Sequence, residues 1–136
     1  MKNAFLKATL PFVCCCAVMA QDTHESLAKE IIDLLSHTEI CLNLCRDAQS
    51  IQEVIPQLQE LAEYAAELKE RQAVLPDFTP ADDEKIAKLI PQYLPLQKAI
   101  DAHIERIINE GLLTPELAEV LAIPPDYIPQ QAPTTN

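Results

Sequence analysis

Between Leu27 and Ala48, apolar or small side chains recur in alternating steps of four and three: Leu27, Ile31, Leu34, Thr38, Cys41, Cys45 and Ala48. Only an α-helix stacks such positions on one face, because its side chains repeat about every 3.6 residues. Ala28, Ile32, Leu35 and Leu42 widen the stripe. A helix with so broad an apolar side belongs in a bundle rather than in the narrow seam of a two-stranded coiled coil. Asp22 and Glu25 have the spacing of an N-cap and its capping-box partner, and they set the expected start.

A second stripe, Ile55, Leu58, Leu61, Ala65 and Leu68, predicts a helix that runs to about Arg71. Its start has two readings. Ser50 and Glu53 make a capping-box pair, which puts Pro56 inside the helix and kinks it; a start at Pro56 makes that pair accidental. After the connector Leu75-Pro76-Asp77-Phe78, Thr79, Pro80 and Asp82 supply an N-cap, a first-turn proline and a first-turn acid. The third helix carries Ile86, Leu89, Ile90, Ile100, Ile104, Ile107 and Ile108 and meets Pro91 and Pro95, so it is either kinked or divided.

Gly111 suits the left-handed position after that helix, Leu112 folds back on Ile107, and Thr114-Pro115 opens a short helix to about Ala122. Short connectors place successive helices antiparallel. The expected fold is therefore all-α: an antiparallel three-helix bundle with kinked helices and a short fourth C-terminal helix, over residues 21–123. Residues 124–136, rich in proline, read as an extended or disordered tail.

The first twenty residues have a different organisation. Lys2 and Lys7 flank a short positive start, an apolar run of eleven residues extends from Ala8 to Val18, and Val18 and Ala20 occupy the two positions that a signal peptidase inspects. A cleaved secretory signal over 1–20 is the reading, with Gln21 as the first mature residue. A membrane span needs about 20 apolar residues, more than this run holds. Cys14, Cys15 and Cys16 raise the further alternative of a lipid-modified cysteine, but Pro11-Phe12-Val13 and the neighbouring cysteines stand where small residues belong. The destination is the periplasm or the exterior.

Cleavage after Ala20 removes two of the ten basic residues and none of the 21 acidic ones, so the formal charge moves from -11 to -13. Such a polyanion repels nucleic acid and anionic lipid. A single glycine, Gly111, gives no material for phosphate-cradling loops. No Ser/His/Asp order or paired-carboxylate arrangement nominates a reaction, so the chain reads as no enzyme and as needing no cofactor.

Chemistry, if present, centres on Cys41 and Cys45, the only cysteines beyond the signal. Residues four apart stand on one side of a helix with α-carbons about 6 Å apart, which is within disulfide range although an undistorted helix aims the side chains poorly for it. An oxidising compartment favours a disulfide, within the chain or between chains. The apolar stripe favours buried thiols instead. His37, four residues upstream, and His103, on the third helix, make a third reading: thiolate and imidazole ligands for zinc or cuprous copper. His37 and Cys45 lie about 12 Å apart along a straight helix, so one ion reaches Cys41 with only one of them.

The stretch Asp47-Ala48-Gln49-Ser50, followed by Ile55-Pro56-Gln57-Leu58-Gln59-Glu60-Leu61, resembles a segment of small, uncharacterised, signal-bearing helical proteins of Gram-negative bacteria. The resemblance implies an exported helical domain and carries over no catalytic residue. The expected function is structural or protein-interacting, with another exported protein or a second copy as the partner. The alternative is a periplasmic metal-binding module built on His37, Cys41, Cys45 and His103.

Overall fold

The computed structural model describes residues 21–124 and Asp126. The signal-peptide reading, with Cys14 to Cys16, lies outside the described residues, as does nearly all of the tail. Five helices make up the described chain: α1 His24–Leu44, α2 Ala48–Ala73, α3 Pro80–Ala87, α4 Ile90–Asn109 and α5 Pro115–Val120. Among the described residues there is no strand, and no helix is long and apolar enough to cross a membrane. The fold is an all-α bundle with five helices in place of the three plus one read from the sequence.

Proline chemistry explains the extra division. Pro91 has no N–H to offer, and its ring collides with the carbonyl four residues back, that of Ala87. Helix α3 ends at Ala87, a tight turn follows with Leu89 N–H on Ile86 O at 2.8 Å, and α4 restarts with Pro91 in its first turn. Pro56, by contrast, lies inside α2. Pro56 and Gln52 are both exposed, so the carbonyl deprived of its donor is on the side of the helix open to water.

The caps correct two further details. The N-cap of α1 is Thr23, not Asp22: Thr23 Oγ1 accepts from the Ser26 N–H at 3.0 Å, and Ser26 Oγ accepts from the Thr23 N–H at 2.9 Å. Helix α2 starts from Asp47, whose carboxylate accepts from the Ser50 N–H at 2.7 Å, so Ser50 is the third residue of a capping box rather than its cap. The Thr79 and Thr114 caps stand as the sequence reads, on Asp82 N–H and Leu117 N–H. Gly111 takes φ +69°, and the Leu112 N–H returns to Ile107 O at 2.9 Å, closing α4.

Helix α1 is the centre of the bundle. It packs antiparallel to α2, since Glu30 meets Arg71 at one end and Cys41 meets Gln57 at the other. It runs parallel to α4, since Glu39 meets His103 and the end of α1 meets Arg106. The close backbone approaches join α1 to α2, α3 and α4, and α2 to α5; α2 and α4 scarcely meet. Leu113, Leu117 and Ala118 enter the gap and join one core with Leu42, Cys45, Ile51, Val54, Ile55, Leu58 and Ile107. The wedge of α5 is thus what lets α2 and α4 share a core.

At the opposite end, Arg71 ties the segment leading into α1 to α2. Its Nε and Nη2 donate to Asp22 Oδ2 and Oδ1 at 2.9 and 2.7 Å, and Nη1 lies 2.8 Å from Glu30 Oε2. The Arg71 hydrogen bond holds the Asp22 carboxyl below the usual carboxylate range. A folded-state pKa lowered in this way contributes stability above the unfolded pKa and loses it as pH falls through the folded value. Arg71→Met is expected to cost about 1 kcal/mol near neutral pH, the scale of a partly exposed ion-pair network. Urea unfolding should show that difference shrinking below the carboxylate range; an equal loss at both pH values contradicts it.

Candidate functional site

The two cysteines that led the sequence reading are core residues. Cys41 is 4 % and Cys45 0 % exposed, and both are thiols. The expected disulfide is therefore not formed. Cys45 Sγ donates back along the helix to Cys41 O at 3.4 Å, and Cys41 Sγ points across to Gln57 Oε1 at 3.8 Å. Neither direction suits a bond between neighbours on one helix rail, and burial closes the route to a second chain. Loss of hydration pushes the Cys45 thiol above its usual pKa, against a smaller opposing pull from Arg106.

The histidines do not join them. His37 is exposed and has Asp33 O at 2.9 Å from its Nδ1. His103 Nε2 lies 2.9 Å from Glu39 Oε1. Among the described residues no three His, Cys, Asp or Glu side chains are grouped so as to hold a metal ion. Spacing along α1 suggested a shared site, but the helix turns its cysteines inward and His37 outward.

A thiol reagent checks this arrangement. Both cysteines are expected to react more than about a hundredfold faster in denaturant than in the folded chain, because labelling waits on opening of the core. Prompt modification of either one in the native protein contradicts their burial.

The surface offers a different candidate, created by the wedge. Two open clefts lie near α5, one between α4 and the residues that follow α5 and the other between α2 and α5 itself. One, about 440 Å³, has Ile104, Ile108, Ile123 and Pro124 as its floor and Asp101 and Glu105 on its rim. The other, about 520 Å³, lies between α2 and α5 and is lined by Gln59, Ala62, Glu63, Glu116, Glu119 and Val120. None of these five carboxylates has a cationic partner among the described residues, whereas Glu25, Glu30 and Glu110 each do.

In the sequence, Leu117, Val120 and Leu121 read as a cover for the core. Leu117 is fully buried, and Val120 and Leu121 pack against the core while half-buried, with Val120 also lining the cleft beside Glu116 and Glu119. Which acids gather around an apolar floor depends on how α5 inserts, and no local spacing encodes that. Compared with protein-family models, with curated proteins and with solved structures, the chain matches none.

Proposed function

We propose that this chain is an exported interaction protein that receives a basic, amphipathic segment of another exported protein in the clefts beside α5. One observation carries the reading: five carboxylates without cationic partners among the described residues border two clefts, one floored by Ile104, Ile108, Ile123 and Pro124 and the other of mixed polar and apolar lining. Unpaired rim charge raises the association rate of an oppositely charged partner, and the apolar floor supplies the desolvated contact that holds it. A second copy of the chain fits less well, because it brings the same acids to the same place and a formal charge of -13 after cleavage. The long helices α1, α2 and α4 act as an up-down-up scaffold, and α5 shapes the recognition surface.

The test titrates a cationic amphipathic helical peptide into the protein and follows backbone amide shifts. Shifts are expected at Ile104, Ile108 and Val120, with affinity that falls as salt rises. Glu116→Lys combined with Glu119→Lys is expected to weaken binding about tenfold, close to 1.4 kcal/mol. Equal binding of the same peptide with its lysines replaced by glutamates sinks the proposal, as do shifts confined to other faces.

A further inference from the structure

On the export reading, cleavage after Ala20 makes Gln21 the first residue of the mature chain. Gln21 is exposed and lies outside α1. Its side chain has no hydrogen bond among the described residues. The very next residue is fixed: both Asp22 oxygens are held by Arg71, at 2.7 and 2.9 Å. Thr23 then closes the capping box of α1. Among the described residues, side-chain attachment to the fold thus begins at Asp22.

We infer that the mature N-terminus is a modification site, at which Gln21 closes on itself to pyroglutamate. The inference rests on the export reading, since only cleavage after Ala20 frees the Gln21 α-amine. The lone pair of that amine attacks the side-chain carbonyl carbon Cδ. A new N–Cδ bond forms, the Cδ–Nε2 bond breaks, and Nε2 leaves as ammonia with a proton supplied by the attacking amine. No oxidant, reductant or second substrate enters the balance.

The fold permits this closure without cost to itself. Every ring atom belongs to Gln21, so neither the Asp22 clamp nor the Thr23 cap needs to shift. No hydrogen bond of the described structure is given up when Nε2 departs. The cyclised end then has no α-ammonium for an aminopeptidase to grip. The next residue inward is already locked against α2. Chemical block and ion-pair clamp together seal the start of the chain.

Intact mass and terminal peptide mapping of the full-length precursor, expressed and recovered after export, test the inference. The expected mature species begins at Gln21 and is lighter than the free-amine form by one molecule of ammonia. Gln21→Asn keeps a terminal amide but would have to close a strained four-membered ring, so its product is expected to retain both amine and amide. A chain that starts at Gln21 with its amine intact overturns cyclisation and leaves the export reading standing. A chain that starts at another residue overturns cyclisation and cleavage after Ala20, and one that keeps residues 1–20 overturns the cleaved-signal reading as well.

Discussion

Ile107→Ala is expected to lower the free energy of unfolding by about 3–4 kcal/mol, within the range for deleting a fully buried branched side chain and leaving a cavity behind. Ile107 is 0 % exposed and lies in the cluster that joins α1, α2, α4 and the α5 wedge. Ile107 is the α4 residue buried in that cluster, and α2 and α4 otherwise scarcely touch. A domain of this size has about 5–15 kcal/mol in all, so the variant forfeits a large share. Urea unfolding should show a lower midpoint with an unchanged slope.

Ile100→Ala gives the contrast. Ile100 is on the same helix but is only half-buried against the cluster, and its loss is expected to cost less than about half as much. Equal losses at the two positions would mean that burial is spread evenly along α4, and the wedge account would fail. Leu117, also 0 % exposed, is in the same cluster as Ile107. Leu117→Ala combined with Ile107→Ala is therefore expected to deviate from the sum of the single losses, as neighbours sharing one cavity do.

Arg106→Met is expected to cost about 2–3 kcal/mol. Its Nη1 donates to Cys45 O at 2.9 Å and its Nη2 to Leu42 O at 3.1 Å, so one guanidinium from α4 satisfies two carbonyls at the end of α1. The last turn of α1 contains no basic residue of its own. A cation there interacts with the negative end of the helix as well as with the individual carbonyls. Charge-assisted bonds of this kind contribute about 1.5–3 kcal/mol each, and part of that is returned because Arg106 Nε is buried without an acceptor.

Lysine separates geometry from charge at this position. A single ammonium lacks the planar fork that reaches both carbonyls, so Arg106→Lys is expected to recover about half of the loss. Full recovery would reduce the role of Arg106 to a point charge, and a neutral Arg106→Met would deny the cap altogether. Hydrogen exchange near Leu44 and Cys45 offers a local readout, faster in the methionine variant.

The long helices could be read from the chain because their causes are local. The four-three stripe from Leu27, the Thr79-Pro80 start, the Gly111 stop and the Thr114-Pro115 restart each act within a few residues of themselves. The caps of α1 and α2 were misplaced for an equally specific reason. Asp22 and Thr23 are adjacent and both are good N-caps, and only Arg71, 49 residues further along, draws Asp22 away. The split at Pro91 lay open as a choice between kink and break, and the Ala87 carbonyl decided it.

The candidate site was much less legible. Cys41, Cys45 and His37 share a spacing, and spacing is all that a sequence gives; inward burial of the thiols and the outward position of His37 depend on where α2 and α4 dock. Glu63 and Glu119 are 56 residues apart and become neighbours only because α5 turns back onto α2. No periodic signal links them.

By itself the sequence determined that the chain is helical, where most of its helices begin and end, and which side of α1 is apolar, since dihedral preference, capping and side-chain period are set by near neighbours. Only the tertiary structure decided that α5 is a wedge, that the cysteines remain thiols and that acids with no cationic partner among the described residues border one apolar cleft and one of mixed lining. Those outcomes follow from how separate helices share a limited volume, and that competition among distant residues has no local imprint.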